Sequence, residues 1–221
     1  APGWGFLYAA IDKPPVRDRG TLILAVESGV AADLAPELER YELDLAGDGW
    51  QTVRLTADRA EWNEPGWSDA VTNLKAQIQA VYDADPASVQ AILLFGHLPV
   101  PYSGDGCYDG HLTNHYGAWP ADPYYGDVSN RWSDVITSTY TNQGDRLKNL
   151  PGDGKFDPTL FHSYTSHLAV GRIDLAHMPA FPQSETELLR RYLAKARQYR
   201  AAAQPVSARG LVCDDFPDYW D

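Results

Sequence analysis

Apolar and polar residues alternate along this chain in a way that predicts most of its elements. Residues Thr21 to Glu27 (TLILAVE) form an apolar run between Gly20 and Ser28-Gly29, predicting a buried strand. Leu34, Leu38, Tyr41 and Leu45 then recur at helical spacing. They predict a helix over 32–46, with Pro36 tolerable only in its first turn. Gly47-Asp48-Gly49 ends it. In Trp50 to Thr56, Val53 and Leu55 alternate with polar neighbours, as in a second strand. Ser68 offers a cap to a helix with the stripe Val71, Leu74, Ile78 and Val81, closed by Asp85-Pro86. Val89 to Phe95 (VQAILLF) is the most apolar strand and is closed by Gly96.

Strand, helix, strand, helix, strand with short connections predicts an α/β fold: a mainly parallel sheet flanked by helices. From about 96 to 166 regularity stops, and Gly, Pro, Asp, Tyr and Trp dominate. A structureless loop of that length is improbable inside a compact domain, so an insertion with short strands is expected, tied by ions in one reading. It follows the carboxyl end of a central strand, where open α/β sheets place ligand sites. The pattern resumes with the strand His167 to Ile173 and with Ser184-Glu185-Thr186-Glu187, a capping box. The helix it opens, about 185–202, should bury Leu188 or Leu189, Tyr192, Ala196 and Tyr199. Arg209 to Cys213 is a fifth strand candidate. The expected organisation is an extension over 1–20, an α/β subdomain over 21–205, and the start of a second subdomain over 206–221.

Charge removes several functions. With Lys+Arg 18 against Asp+Glu 30, the chain carries a net −12 and repels phosphate backbones and anionic membrane surfaces. No apolar run approaches the ~20 residues of a membrane span. Neither GxGxxG nor GxxxxGK[ST] occurs, so no nucleotide cofactor is expected.

Several groups could carry chemistry. Asp105, Asp109, His111, His115, Asp122 and Asp127 mix hard oxygen ligands with imidazoles. They suit a structural calcium ion, or a transition metal where histidine joins. Turn formation and loop hydrogen bonds are the competing reading. Asp153 and Asp157 flank Lys155, which opposes a cation and favours a plain turn. Cys107, with His97, His111 and His115 nearby in sequence, is an alternative nucleophile, paired with His111. Its neighbours Asp105 and Asp109 work against a thiolate. No CxxC exists, and pairing of Cys107 with Cys213 stays open.

From Val89 to Arg200 the sequence resembles the gingipain-like cysteine peptidases. Four segments carry the likeness in order: the strand Ala91 to Phe95 ending in Gly96, the loop Ala121-Asp122-Pro123-Tyr124-Tyr125-Gly126-Asp127, the strand Val170-Gly171-Arg172-Ile173, and the helix Glu185 to Tyr199. The upstream unit from Thr21 to Thr56 fits the family's first subdomain. The resemblance implies a caspase-like, three-layer α/β fold. It implies a catalytic His and Cys after strands that follow the segment matched by Gly210 to Asp221, so that the polypeptide continues. No His lies beyond His177, and the only late Cys is Cys213, so that dyad has no counterpart here. Asp214, Asp215 or Asp218 would line a specificity pocket for basic residues. Peptide or protein substrates, and a secreted or cell-surface location, follow from the same likeness.

Two other functions compete. One is a non-catalytic binding or assembly module whose aromatic insertion, with Trp119, Tyr124, Tyr125 and Trp132, is the contact surface. The other is a metal-dependent hydrolase built on Asp122, Asp127, His111 and His115.

Overall fold

The computed structural model describes residues 18–62, 64–104, 118–129, 132–137, 148–158, 167–201 and 203. Its centre is a four-stranded parallel sheet in the order β2-β1-β3-β6, formed by β1 (Gly20–Glu27), β2 (Trp50–Ala57), β3 (Val89–Phe95) and β6 (Ala169–Ile173). The predicted α/β class is therefore the observed one. Side chains alternate across the sheet because strand residues point to opposite faces in turn. On β1, Ile23 and Ala25 join one core, while Leu22, Leu24 and Val26 join the other.

The second core is covered by α1 (Ser28–Asp33), α2 (Ala35–Gly47) and α5 (Glu185–Arg200). The first is covered by α3 (Trp67–Ala84) and by the insertion. Leu34, Leu38, Tyr41 and Leu45 are buried as their spacing predicts. Each fully buried Leu or Ile contributes roughly 1.5–3 kcal/mol, so these stripes hold the layers together.

The structure corrects the sequence reading in several places. The first helical stretch is two helices broken at Leu34. Glu27, read as a strand end, also caps α1, its carboxylate accepting from the amides of Gly29 and Val30. Ser68 does not cap α3; Gly66, at φ 88, occupies the cap position, and Ser68 lies in the first turn. On α5 the buried stripe is Leu189 and Leu193, with Ala196 packed beside it. Tyr192 and Tyr199 point to solvent, Tyr199 at 65% exposure. The capping hydroxyl of Ser184 does accept from the Glu187 amide, at 3.3 Å.

The described parts of the insertion are short pieces: α4 (Pro123–Gly126), β4 (Trp132–Ser133) paired antiparallel with β5 (Asp157–Pro158), and bridges Tyr102–Pro120 and Ser103–Phe156. Among its described aromatic residues, Tyr102, Tyr124, Tyr125 and Phe156 belong to the core, and Trp132 packs against it. Tyr125 is fully buried, and Tyr124 stacks on Phe156 with ring centroids 4.2 Å apart. The expected contact surface thus loses its two tyrosines to packing. The strand candidate Arg209 to Cys213, the extension over 1–17 and the 206–221 segment lie outside the described residues.

Candidate functional site

Of the residues expected to bind metal, to catalyse or to line a specificity pocket, Asp122 and Asp127 fall in described segments. Asp105, Cys107, Asp109, His111, His115, Cys213, Asp214, Asp215 and Asp218 lie outside them. Asp122, at the start of α4, gives both carboxylate oxygens to Arg172 of β6, at 2.8 Å each. The guanidinium also donates to the carbonyls of Leu98 (2.8 Å) and Pro99 (3.3 Å). Burial works against the Arg172 charge, but the bonds it donates to Asp122 and the attraction of that carboxylate outweigh it and push the side chain further toward the protonated form.

Asp127 is fully buried beside the residues that lead into β6. Its Oδ1 accepts from the Ser129 amide at 2.9 Å and faces Nδ1 of His167 at 3.3 Å. The Asp127 carbonyl, with those of Tyr124 and Tyr125, accepts from the buried ammonium of Lys75 on α3. Burial pushes Lys75 down to about 8, partly countered by Asp127. Lys75 hides inside the apolar stripe of α3, next to Leu74. Asp153 accepts from the amides of Leu150 and Lys155 and pairs with Nζ of Lys155 at 2.9 Å, which is the geometry of a turn.

The densest chemistry lies at the carboxyl edge of the sheet. Gly96 closes β3 at φ 87, where a Cβ would come within 2.9 Å of the Glu27 Cβ. The next residue, His97, therefore sits directly over the strand ends. Its Nδ1 is 2.8 Å from Oδ2 of Asp174, just past β6, and its Nε2 is 3.0 Å from Oε2 of Glu61, in the loop after β2. Nε2 of His177 lies 3.2 Å from the other Glu61 oxygen. The two imidazoles meet edge to face, with centroids 5.3 Å apart. Ligand atoms of Glu61, His97 and His177 all fall within 4.8 Å of one another.

Charge around this cluster is mixed. Arg59 pairs with Glu61 at 3.2 Å and with Glu185 at 2.8 Å. Burial pushes the Glu61 carboxyl up, yet hydrogen bonds from His177 and Arg59 and the attraction of His97 hold it down at about 2. The cluster can relay a proton between imidazole and carboxylate, or hold a divalent cation. Sequence reasoning weighed His97 only as a neighbour of Cys107. The usable signal was its place one residue past a strand-closing glycine.

At the β1 end, where phosphate-binding folds present free helix amides, the α1 amides are taken by Glu27. No protein-family model matches the chain, and no curated protein or solved structure matches it.

Proposed function

We propose that this chain forms the N-terminal portion of a secreted or surface gingipain-like cysteine peptidase. The reading is supported by the pairing of Asp122 with Arg172, which joins two of the four resembling segments across 50 residues of sequence. The Asp-Pro-Tyr-Tyr loop and the Val-Gly-Arg-Ile strand are thereby one unit: the ion pair, together with Tyr125 donating to the Pro99 carbonyl at 2.8 Å, fastens the insertion to the sheet end. Residues tied in this way are under a joint constraint that isolated turn residues lack.

In the complete peptidase a downstream Cys thiolate attacks the peptide carbonyl, a downstream His handles the proton, and backbone amides hold the oxyanion. Asp214, Asp215 or Asp218 lines the pocket for a basic side chain. A peptide or protein is the substrate, and the polypeptide beyond Asp221 is required.

The test extends the chain along its own reading frame. The extended protein should hydrolyse peptides after basic residues and be labelled by a thiol-directed probe on a Cys beyond Asp221, while residues 1–221 alone should be inert. A frame that stops at Asp221, or an extended protein that takes no label, defeats the proposal. Labelling of Cys107 in residues 1–221, abolished by His111→Ala, would instead establish a self-contained dyad.

A further inference from the structure

We infer that Glu61, His97 and His177 bind one divalent transition-metal ion of the zinc class at the carboxyl edge of the sheet. This site does not depend on the peptidase reading. Two ligands on a tetrahedral ion, each about 2.0–2.1 Å from it, lie about 3.3 Å apart. The Glu61–His97 and Glu61–His177 separations are 3.0 and 3.2 Å, to different oxygens of the carboxylate, and one ligand atom from each of the three residues lies within 4.8 Å of the others, so one ion is reached by closing the widest gap by up to about 1.5 Å of side-chain rotation.

The surroundings of His97 suit a ligand. Both of its ring nitrogens face carboxylate oxygens, Nδ1 that of Asp174 and Nε2 that of Glu61. With Nδ1–H donating to Asp174, Nε2 is the atom that can take either a proton or a metal ion on its Glu61 side. Asp174 is then the outer partner that orients a metal-bound imidazole. Among the described residues, the carboxylates Glu61, Asp122, Asp174 and Glu185 around the cluster are met by two arginines, Arg59 and Arg172, and by the two imidazoles that would bind the ion.

The backbone adds an independent sign. His177 is the one non-glycine residue with positive φ (52°) among the described residues. That conformation is costly for a residue with a Cβ and is kept where something holds it. Here it turns the ring toward Glu61. The His177 side chain is 68% exposed, so the ion is reachable from solvent and keeps a coordination position for water. Two imidazoles and one carboxylate select zinc, cobalt or nickel over calcium, which prefers six or more oxygens.

The experiment titrates the chelator-treated chain with Co²⁺, read by visible absorption, and with Zn²⁺, read by calorimetry. One equivalent should bind with a Kd of micromolar or tighter and give the absorption of four-coordinate cobalt. His97→Ala should weaken binding at least 100-fold, and Asp174→Asn about 10-fold to 100-fold. His177→Asn is the decisive variant, since Asn tolerates the left-handed backbone and removes only the imidazole. It should keep the far-ultraviolet circular dichroism of the parent and lose at least 100-fold in affinity. No stoichiometric binding, or binding unchanged in His177→Asn, overturns the site.

Discussion

A guanidinium shared between a carboxylate and two carbonyls has one arrangement that satisfies it, and Arg172 is held in that arrangement. Arg172→Met leaves Asp122 and both carbonyls without their donor in a half-buried setting. It should cost about 3 kcal/mol in chemical denaturation, and adding Asp122→Leu should recover much of that loss. A single variant of unchanged stability would show that the pair contributes nothing. Neither partner was legible as a pair, because spacing along a sequence says nothing about a contact 50 residues away. Asp122 looked like a ligand because an acidic residue in a Gly-rich loop invites that reading. The metal-type cluster was hidden for the same reason: its residues come from three separate loops, and none falls within a helical or loop-motif spacing of another.

At the element level, periodicity was a good guide wherever one face is buried. β3 begins and ends where its apolar run does, and α3 buries Val71, Leu74 and Ile78 as its stripe predicts. It failed on α5, where the spacing placed Tyr192 and Tyr199 in the buried stripe and both are exposed. The helix rests on Leu189 and Leu193 instead, while Arg190, Arg191 and Arg200 carry its outer face into ion pairs with Glu37, Glu187 and Asp48. Glu27 was missed as a cap because Ser, Thr, Asp and Asn are the residues a cap search expects. The β3 terminus makes a sharper demand. Gly96→Ala places a Cβ against Glu27 in a left-handed conformation, and should destabilise the protein by about 2 kcal/mol or more in urea denaturation. A neutral result would mean that the strand end relaxes freely.

Across the whole molecule, buried ionisable groups between α3 and α4 set the alkaline response. A folded Lys75 loses its proton near pH 8, whereas the unfolded side chain holds it to about 10.5. Between those values the unfolded chain binds the extra proton, so stability rises with pH. Burial pushes Tyr124 up to about 12 and also raises Tyr125. Above pH 10 the folded chain keeps protons that the unfolded chain gives up, and stability falls. Urea midpoints should therefore climb from pH 8 toward pH 10 and then decline, and Lys75→Met should remove the climb. A climb that persists in Lys75→Met refutes the assignment.

The sheet order carries a cost in chain entropy. Pairing β1 with β2 closes only residues 28–49, whereas pairing β3 with β6 closes residues 96–168. The longer closure costs about 1 kcal/mol more by the logarithmic length law. Asp174 and His177 lie just beyond that last strand, so the edge cluster is whole only once the most distant part of the chain has come home.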